Sequence, residues 1–384
     1  MHEMKRVLLI SNVPQPYRIP LFNELKNQLD ERGVSFLVVF AADGYKRRKS
    51  RIDFSEMKFE YKVLHSLKIS FGDVEKTMFT YGGLNGVISD FNPDKIIVVG
   101  FSLAALKIYF RSFFRKTTYI IWSGALEFKG RYDSAFRKIE RHLLTRRAAA
   151  FISYGTKAKD YLVKMGAPAE KVFIGMNTVD TNFFAGETSR LRAESSPTDR
   201  KHLLYVGYLV PRKNAAKLIH VVEELSKRRN DFVLDIIGDG SDKANLELMV
   251  KEKKLEQVVV FHGFIQKQDL PRYFAQSNCF LFQTDFDVWG LVLNEAMAAG
   301  LPVLSSVNAG ATFDLIRDGE NGFAVDYDAT GDVVEKINNL FDNAALANRI
   351  GENARQFIEE HATIKHSAKA FIDCLEATWN EFKG

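Results

Sequence analysis

DFDVWGLVLNEAMAAGLPVLS, residues 285–305, sets Asp287 and Glu295 eight residues apart around Gly290 and closes on Gly300 and Pro302. The preceding apolar run Cys279–Phe282 reads as a buried strand, Leu291–Ala299 has helical composition, and Gly300 and Pro302 supply the stop. Asp287 therefore falls in a strand-to-helix loop. Gly290 leaves the following backbone amides uncrowded at a helix start, where unpaired N–H groups and the helix dipole favour an anion. Glu295 sits about one turn inside that helix. A carboxylate there is poorly placed for a second phosphate and well placed to accept hydrogen bonds from sugar or ribose hydroxyls. The block reads as a site for a nucleotide sugar.

Outward from this block, strands and helices alternate along the chain, the pattern of parallel sheets covered on both faces. Strands are expected at Arg6–Ser11, Phe36–Phe40, Lys95–Val99, Tyr119–Trp122, Ala150–Ser153, His202–Gly207 and Phe232–Ile237. Helices are expected at Ile19–Leu29, Gly82–Phe91, Ser102–Arg111, Asp133–Arg146 and Lys157–Met165. A length of 384 residues allows two or three domains, and 46% hydrophobic with 26% charged residues is ordinary globular usage. GETSRLRAESSPTDR, residues 186–200, is polar and unpatterned and reads as a linker or exposed loop near the junction of a domain over 1–185 and another over 201–363. No apolar run reaches the roughly 18 residues of a spanning helix. Two apolar-flanked cysteines, Cys279 and Cys374, suit neither a disulfide framework nor a zinc site, so a reducing cytoplasm is expected.

The 285–305 block resembles the E-x7-E signature of retaining glycosyltransferase family 4 (glycosyl transferases group 1), usually E-x-F-G-[LI]-x-x-x-E-A-M-A-x-G-x-P-V. Gly290, Leu291, Glu295, Ala296, Met297, Ala298, Gly300, Pro302 and Val303 match, with Asp287 for the first Glu and Trp289 for Phe. The resemblance implies a GT-B fold, two doubly wound Rossmann-like domains facing each other across a cleft, with the final helix (Ile364–Phe382 here) returning to the N-terminal domain. It implies that Asp287 and the loop at Trp289, Gly290 and Leu291 hold the transferred sugar while Glu295 binds the ribose. The family's G-R-L-x-x-x-K-G, whose Arg and Lys neutralise the donor diphosphate, is matched by Gly207, Leu209 and Lys213. Tyr208 stands for the Arg and Asn214 for the last Gly; Arg212, a bidentate phosphate binder by chemistry, is the candidate replacement cation. The family's G-D-G turn is Gly238–Gly240, and Gly263 with Phe264 would border the base.

In the first half, NVPQPYRIPLFNEL is similar to the P-Y-R-x-x-L-F-x-x-L opening of many bacterial members, which places Pro16, Tyr17 and Arg18 at the acceptor. Three prolines stiffen this loop and present Tyr17 and Arg18. Where many relatives carry a His, this chain reads IIWSGALEF, and Glu127 is the nearest ionisable group. The resemblance therefore implies a transferase that moves a sugar from a UDP- or GDP-sugar to a glycan or lipid-linked acceptor, with no metal and no other cofactor. The alternatives are a sugar-nucleotide epimerase of the same fold and a non-catalytic sugar-nucleotide binder.

Net charge is +5, but residues 101–150 hold eleven Lys and Arg against three Asp and Glu, and KRRKSR spans 46–51. Arg137, Lys138, Arg141, Arg146 and Arg147 share a helix with Phe136, Ile139, Leu143 and Leu144, which suits peripheral contact with an anionic membrane. The alternative is an apolar stripe facing the core beneath a solvated basic face. No nucleic-acid module accompanies the charge. The first strand is followed by SNVPQPYR rather than G-x-G-x-x-G, and no G-x-x-x-x-G-K-[ST] occurs, which counts against dinucleotide dehydrogenases and P-loop enzymes. Asp285-Phe286-Asp287 is a D-x-D triplet of the kind that holds Mg2+ or Mn2+, but its coupling to Glu295 and Gly300 favours the metal-free reading.

Overall fold

The computed structural model describes residues 4–44, 52–70, 77–115, 117–127, 134–194 and 200–380, so the KRRKSR cluster lies outside the described residues. The chain forms two units, Met1–Asn177 with Ile364–Gly384, and Thr178–Thr363.

The first unit contains β1 (Arg6–Ser11), α1 (Ile19–Asp30), β2 (Ser35–Phe40), β3 (Glu60–Val63), β4 (Lys68–Ser70), β5 (Thr77–Phe79), α2 (Leu84–Phe91) and β6 (Lys95–Val99). It continues with α3 (Leu103–Phe114), β7 (Tyr119–Ser123), α4 (Ala135–Arg147), β8 (Ala150–Ser153), α5 (Thr156–Lys164) and β9 (Val172–Ile174). Its main sheet runs β3-β2-β1-β6-β7-β8-β9, and β4 pairs with β5 in a separate antiparallel hairpin. Parallel strands covered on both faces need apolar side chains on both, which is why RVLLIS and SFLVVF lack polar alternation and are buried almost throughout. Ser102 and Ser134 start α3 and α4 by accepting the Ala105 and Arg137 amides.

The second unit contains α6 (Thr181–Glu194), β10 (Lys201–Val206), α7 (Ala216–Ser226), β11 (Phe232–Ile237), α8 (Lys243–Glu252), β12 (Val259–Gly263), α9 (Leu270–Gln276) and β13 (Cys279–Phe282). After these come α10 (Leu291–Ala298), β14 (Val303–Ser306), α11 (Gly310–Leu315), β15 (Phe323–Val325), α12 (Thr330–Asp342) and α13 (Ala344–His361); α14 (Ile364–Asn380) belongs to the first unit. The sheet order is β12-β11-β10-β13-β14-β15, all parallel, so the winding reverses between β10 and β13. Ligands of doubly wound sheets bind beyond the carboxyl ends of the strands at such a reversal. A polar exception in the sheet, Asp235 on β11, accepts from His202 at 2.7 Å and His262 at 2.6 Å; burial would raise its pKa, but the two imidazoles hold it below the ordinary value.

The expected linker at 186–200 is corrected: α6 runs through Glu194, and 195–199 lie outside the described residues. Phe184 and Thr188, one turn apart, are buried, while Arg190 pairs with Glu187 at 3.0 Å and Glu194 at 2.9 Å. The polarity is that of a helix with one solvated face closed by i,i+3 and i,i+4 ion pairs. The division between units accordingly falls at Asn177 and Thr178, ahead of the expected 185.

The last helix, α14, packs against α1, β8 and β9. Phe371 meets the Trp122 ring edge-on at 4.9 Å, and Lys95, buried on β6, donates to the Thr378 carbonyl at 2.9 Å. Truncating a fully buried aromatic leaves a cavity, so Phe371→Ala is expected to destabilise the first unit by about 3–5 kcal/mol. Urea unfolding followed by tryptophan fluorescence checks this; a loss under about 1 kcal/mol would show that α14 is not part of that core.

Candidate functional site

At the β10/β13 reversal, the loops that follow these two strands are fastened to each other. After β10, Gly207 to Asn214 forms a short turn whose last residue takes a left-handed φ of 42°, a conformation Asn tolerates in place of the Gly of the motif. The Arg212 carbonyl accepts the amides of Asp285 at 3.0 Å and Phe286 at 3.3 Å and the Thr284 hydroxyl at 3.3 Å. Across this backbone seam, the buried Lys213 ammonium pairs with Asp287, and Arg212 Nη1 lies 4.0 Å from the same carboxylate. Asp287 also accepts the Trp289 amide at 3.1 Å. Burial alone would raise the Asp287 pKa; Lys213, Arg212 and the Trp289 amide take it below the ordinary carboxylate value.

Glycines let the neighbouring strand ends close up. The Gly207 amide bonds to Ile237 O at 2.9 Å and the Gly238 amide to Gly263 O at 2.8 Å, so Gly207, Gly238 and Gly263 mark adjacent carboxyl ends of β10, β11 and β12. A Cβ on Gly238 would stand 1.8 Å from the Gly207 oxygen. Gly290 opens α10 at φ 107°, and a Cβ there would enter the Phe282 ring. Leu291 is half-exposed beside it, and Phe264 is half-buried after β12.

Trp289 differs from its expected role. Its indole is buried and donates to Asn294 at 3.0 Å, its amide donates to Asp287 and its carbonyl accepts the Ala311 amide at 3.2 Å, so ring and backbone are both engaged within the protein. The D-x-D triplet does not present two bare carboxylates either. Asp285 accepts from Asn214 at 2.8 Å and Gln283 at 3.2 Å and pairs with Lys217 at 3.0 Å, while Asp287 has Lys213. Each acid is already neutralised by a lysine, a poor donor set for a divalent cation. Among the described residues no three His, Cys, Asp or Glu side chains gather in a metal-binding group. Sequence reading missed Lys217, Gln283 and the side-chain role of Asn214; the signal available was a second lysine four residues after Lys213.

Glu295, one turn into α10, is half-buried, and among the described residues no hydrogen bond or ion pair reaches its carboxylate. Burial pushes its pKa up to about 8, with the Lys267 ammonium opposing. A group held partly protonated near neutrality can accept from and donate to hydroxyls.

In the first unit, Pro16 and Tyr17 are half-exposed, but Arg18 is turned inward and only 7% exposed. The expectation that the loop presents its guanidinium is corrected: the group stacks over Trp122, 4.4 Å from the ring centroid, which draws it under the loop. Glu127 is ion-paired with Lys164. Along α4, Phe136 (77% exposed), Ile139 and Leu143 face outward, and on α3 so do Phe110, Phe113 and Phe114 (84% exposed). Only Leu144 of the expected apolar stripe is buried. Arg147 ties the two helices, lying over Phe113 at 4.1 Å and donating to Ser112 O at 2.6 Å. Arg141 packs inward on Phe101 and Tyr161, which removes it from the outer basic set, whereas Arg137, Lys138 and Arg146 stay exposed. No described helix is long and apolar enough to cross a membrane.

Residues 188–357 match the family model of glycosyl transferases group 1. The chain is 28% identical over 254 residues to the alpha-D-kanosaminyltransferase of Streptomyces kanamyceticus, 65% of this chain and 64% of that protein. It is 29% identical over 189 residues to the GDP-mannose-dependent alpha-(1-6)-phosphatidylinositol monomannoside mannosyltransferase of Mycolicibacterium smegmatis, 47% of this chain and 49% of that protein. The chain thus spans about two thirds or less of these relatives. Among solved structures, Anabaena Alr3699/HepE in complex with UDP superposes with a TM-score of 0.77 at 17% identity, covering 97% of this chain and 100% of that one. Sucrose-phosphate synthase from Thermosynechococcus elongatus gives 0.77 at 17% identity, covering 98% and 100%. The fold, two Rossmann-like parallel sheets, is that of GT-B glycosyltransferase structures.

The Glu295 environment leaves a mark on stability. The unfolded chain ionises this acid near 4.5 whereas the native state keeps its proton up to about 8, so the native state binds more protons between these values. The contribution is complete below about pH 4.5, falls as pH rises and levels off above about pH 8. Glu295→Gln is expected to flatten that decline, read from urea midpoints between about pH 5 and pH 8.5 against the parent; parallel curves would remove the burial effect.

Proposed function

We propose that this chain is a retaining glycosyltransferase that moves a sugar from a nucleoside diphosphate sugar, UDP- or GDP-linked, to a glycan or lipid-linked acceptor without a metal ion. The observation that carries the reading is the pairing of Lys213, with Arg212 beside it, to Asp287 at the start of α10, at the winding reversal of the second sheet. Without ligand, Asp287 is the counter-ion of Lys213. A donor diphosphate brings its own negative charge, takes over the ammonium and frees the carboxylate to accept sugar hydroxyls. Glu295 then meets the ribose, and hydroxyl donors favour its ionised form.

In this mechanism the bond from the anomeric carbon to the diphosphate oxygen breaks as the acceptor oxygen bonds to the same face. The acceptor proton passes to the leaving phosphate oxygen, so no protein nucleophile is required. Lys213, Arg212 and the α10 amides stabilise the charge that grows on the leaving group, and such preorganised electrostatics is commonly the largest catalytic contribution. The GDP-mannose dependence named for the mycobacterial relative and the UDP bound by Anabaena HepE favour a nucleoside diphosphate donor.

Lys213→Ala is expected to lower transfer by about 100- to 1,000-fold. Because it also strands a half-buried carboxylate, Lys213→Ala/Asp287→Asn serves as the folded control. Thermal stabilisation by UDP, GDP and their sugars, each with Mg2+ and with excess EDTA, should appear in the parent irrespective of metal and vanish in the double variant. A shift that requires metal would return the D-x-D reading, and binding without turnover would leave a non-catalytic binder.

The outward aromatic and basic faces of α3 and α4 support peripheral contact with an anionic bilayer, where apolar rings enter the interface and cations meet headgroups. Co-sedimentation with vesicles containing phosphatidylglycerol is expected to drop for Phe114→Ser/Phe136→Ser and for Arg137→Glu/Lys138→Glu. Unchanged sedimentation of both would end this part of the proposal.

A further inference from the structure

Arg18 is a buried cation that lacks an anionic partner among the described residues. Its Nη1 donates to the Ser11 hydroxyl at 3.3 Å, its Nη2 to the Tyr154 phenol, the Tyr17 phenol also hydrogen-bonds the guanidinium, and its plane lies over Trp122; its Nε is buried with no partner. All of these partners are formally neutral, so they satisfy donors without cancelling the charge, and desolvating a charge with no counter-ion is unfavourable. Arg18 is also the residue that caps the start of α1, a twelve-residue helix. A guanidinium at the positive end of a helix dipole is the reverse of the favourable placement. Three residues earlier, Gln15 Oε1 is buried without a partner as well. The surroundings are built to keep the group there: the Tyr154 ring packs against Trp122 in a tilted contact, centroids 5.6 Å apart, and a Cβ on Gly124 would stand 2.3 Å from the Tyr154 ring.

These atoms gather at the carboxyl ends of β1, β7 and β8, where doubly wound sheets take ligands. We propose that Arg18, Tyr154 and the first turn of α1 bind an anionic group, a phosphate or a carboxylate, carried by the acceptor. In naming an acceptor, this assignment rests on the transferase reading. The anion supplies the missing negative charge to the guanidinium and to the helix start together, and an adjoining hydroxyl on the same acceptor supplies the donor that Gln15 lacks. A neutral glycan acceptor would leave both unmet.

The test uses the full chain and two probes, inorganic phosphate and glucuronate, with ionic strength held constant by chloride. Phosphate, glucuronate or both should raise the melting temperature saturably in the parent and in Lys213→Ala/Asp287→Asn, whose donor site is disabled. Arg18→Met should lose the response and, freed of an uncompensated cation, melt without probe at or above the parent. Arg18→Lys keeps the charge but not the planar fork and should bind about tenfold more weakly, or about 1.4 kcal/mol; it decides the matter should Arg18→Met not fold. A response to phosphate alone assigns a phosphorylated acceptor, and to glucuronate alone an acidic sugar. No response in the parent, a response undiminished in Arg18→Met, or unchanged affinity in Arg18→Lys overturns the proposal. Nucleotide-induced stabilisation is read separately: its absence with the phosphate response intact would reject the transferase reading and keep the anion site.

Discussion

The contact between the Arg212–Lys213 turn and the 284–287 loop organises the second unit. Two loops from strands that are neighbours in space but far apart in sequence are sewn together by one carbonyl accepting three donors, then locked by the pairing of buried Lys213 with half-buried Asp287. The arrangement is possible only because the adjoining strand ends carry glycine. With any side chain at Gly238 or Gly290, the β10 loop could not lie against β11, nor could α10 start beneath Phe282. Close backbone approach and the proposed anion site thus share one cause, glycines that leave the backbone uncrowded at the carboxyl edge of a parallel sheet.

Electrostatics divides the two units. In the second, Lys213 and Arg212 face Asp287 and Lys217 pairs with Asp285 and Asp328, so each cation at the reversal has a carboxylate, and in the proposed function a diphosphate would enter by exchanging partners. Replacing one counter-ion by another avoids the cost of exposing a buried charge to a low dielectric. In the first unit, Arg18 has aromatic and hydroxyl neighbours and no carboxylate among the described residues. Glu127, the acid expected at the acceptor, is occupied by Lys164.

The departures from the family pattern have local explanations. Asn214 replaces a glycine because the position needs a left-handed φ, which Asn adopts, and its side chain is then used to hold Asp285. Asp287, one methylene shorter than Glu, sits close enough to Lys213 to pair with it directly. The polar stretch after Gly186 misled as a linker because ion pairing along a helix face and the absence of structure share a composition. Only the burial of Phe184 and Thr188 distinguishes them.

The alternation of apolar runs with amphipathic segments determined the doubly wound class, since parallel strands covered on both faces must be apolar on both, and that requirement is local to each strand. The resemblance carried by Gly207, Lys213, Asp287, Gly290 and Glu295 likewise pointed to the loops of the candidate site, because each lies at a short offset from a strand end. Tertiary structure alone decided the side-chain partners. Short strands such as β9 and β15, with three residues each, carry too little pattern to be read, and they gain their place from neighbours already in the sheet. Trp289 turned into the core, Arg18 turned under its loop and the α4 stripe turned outward for one reason. Which face of an element is covered depends on what the rest of the chain packs against it, and that partner is set by contacts between residues distant in sequence.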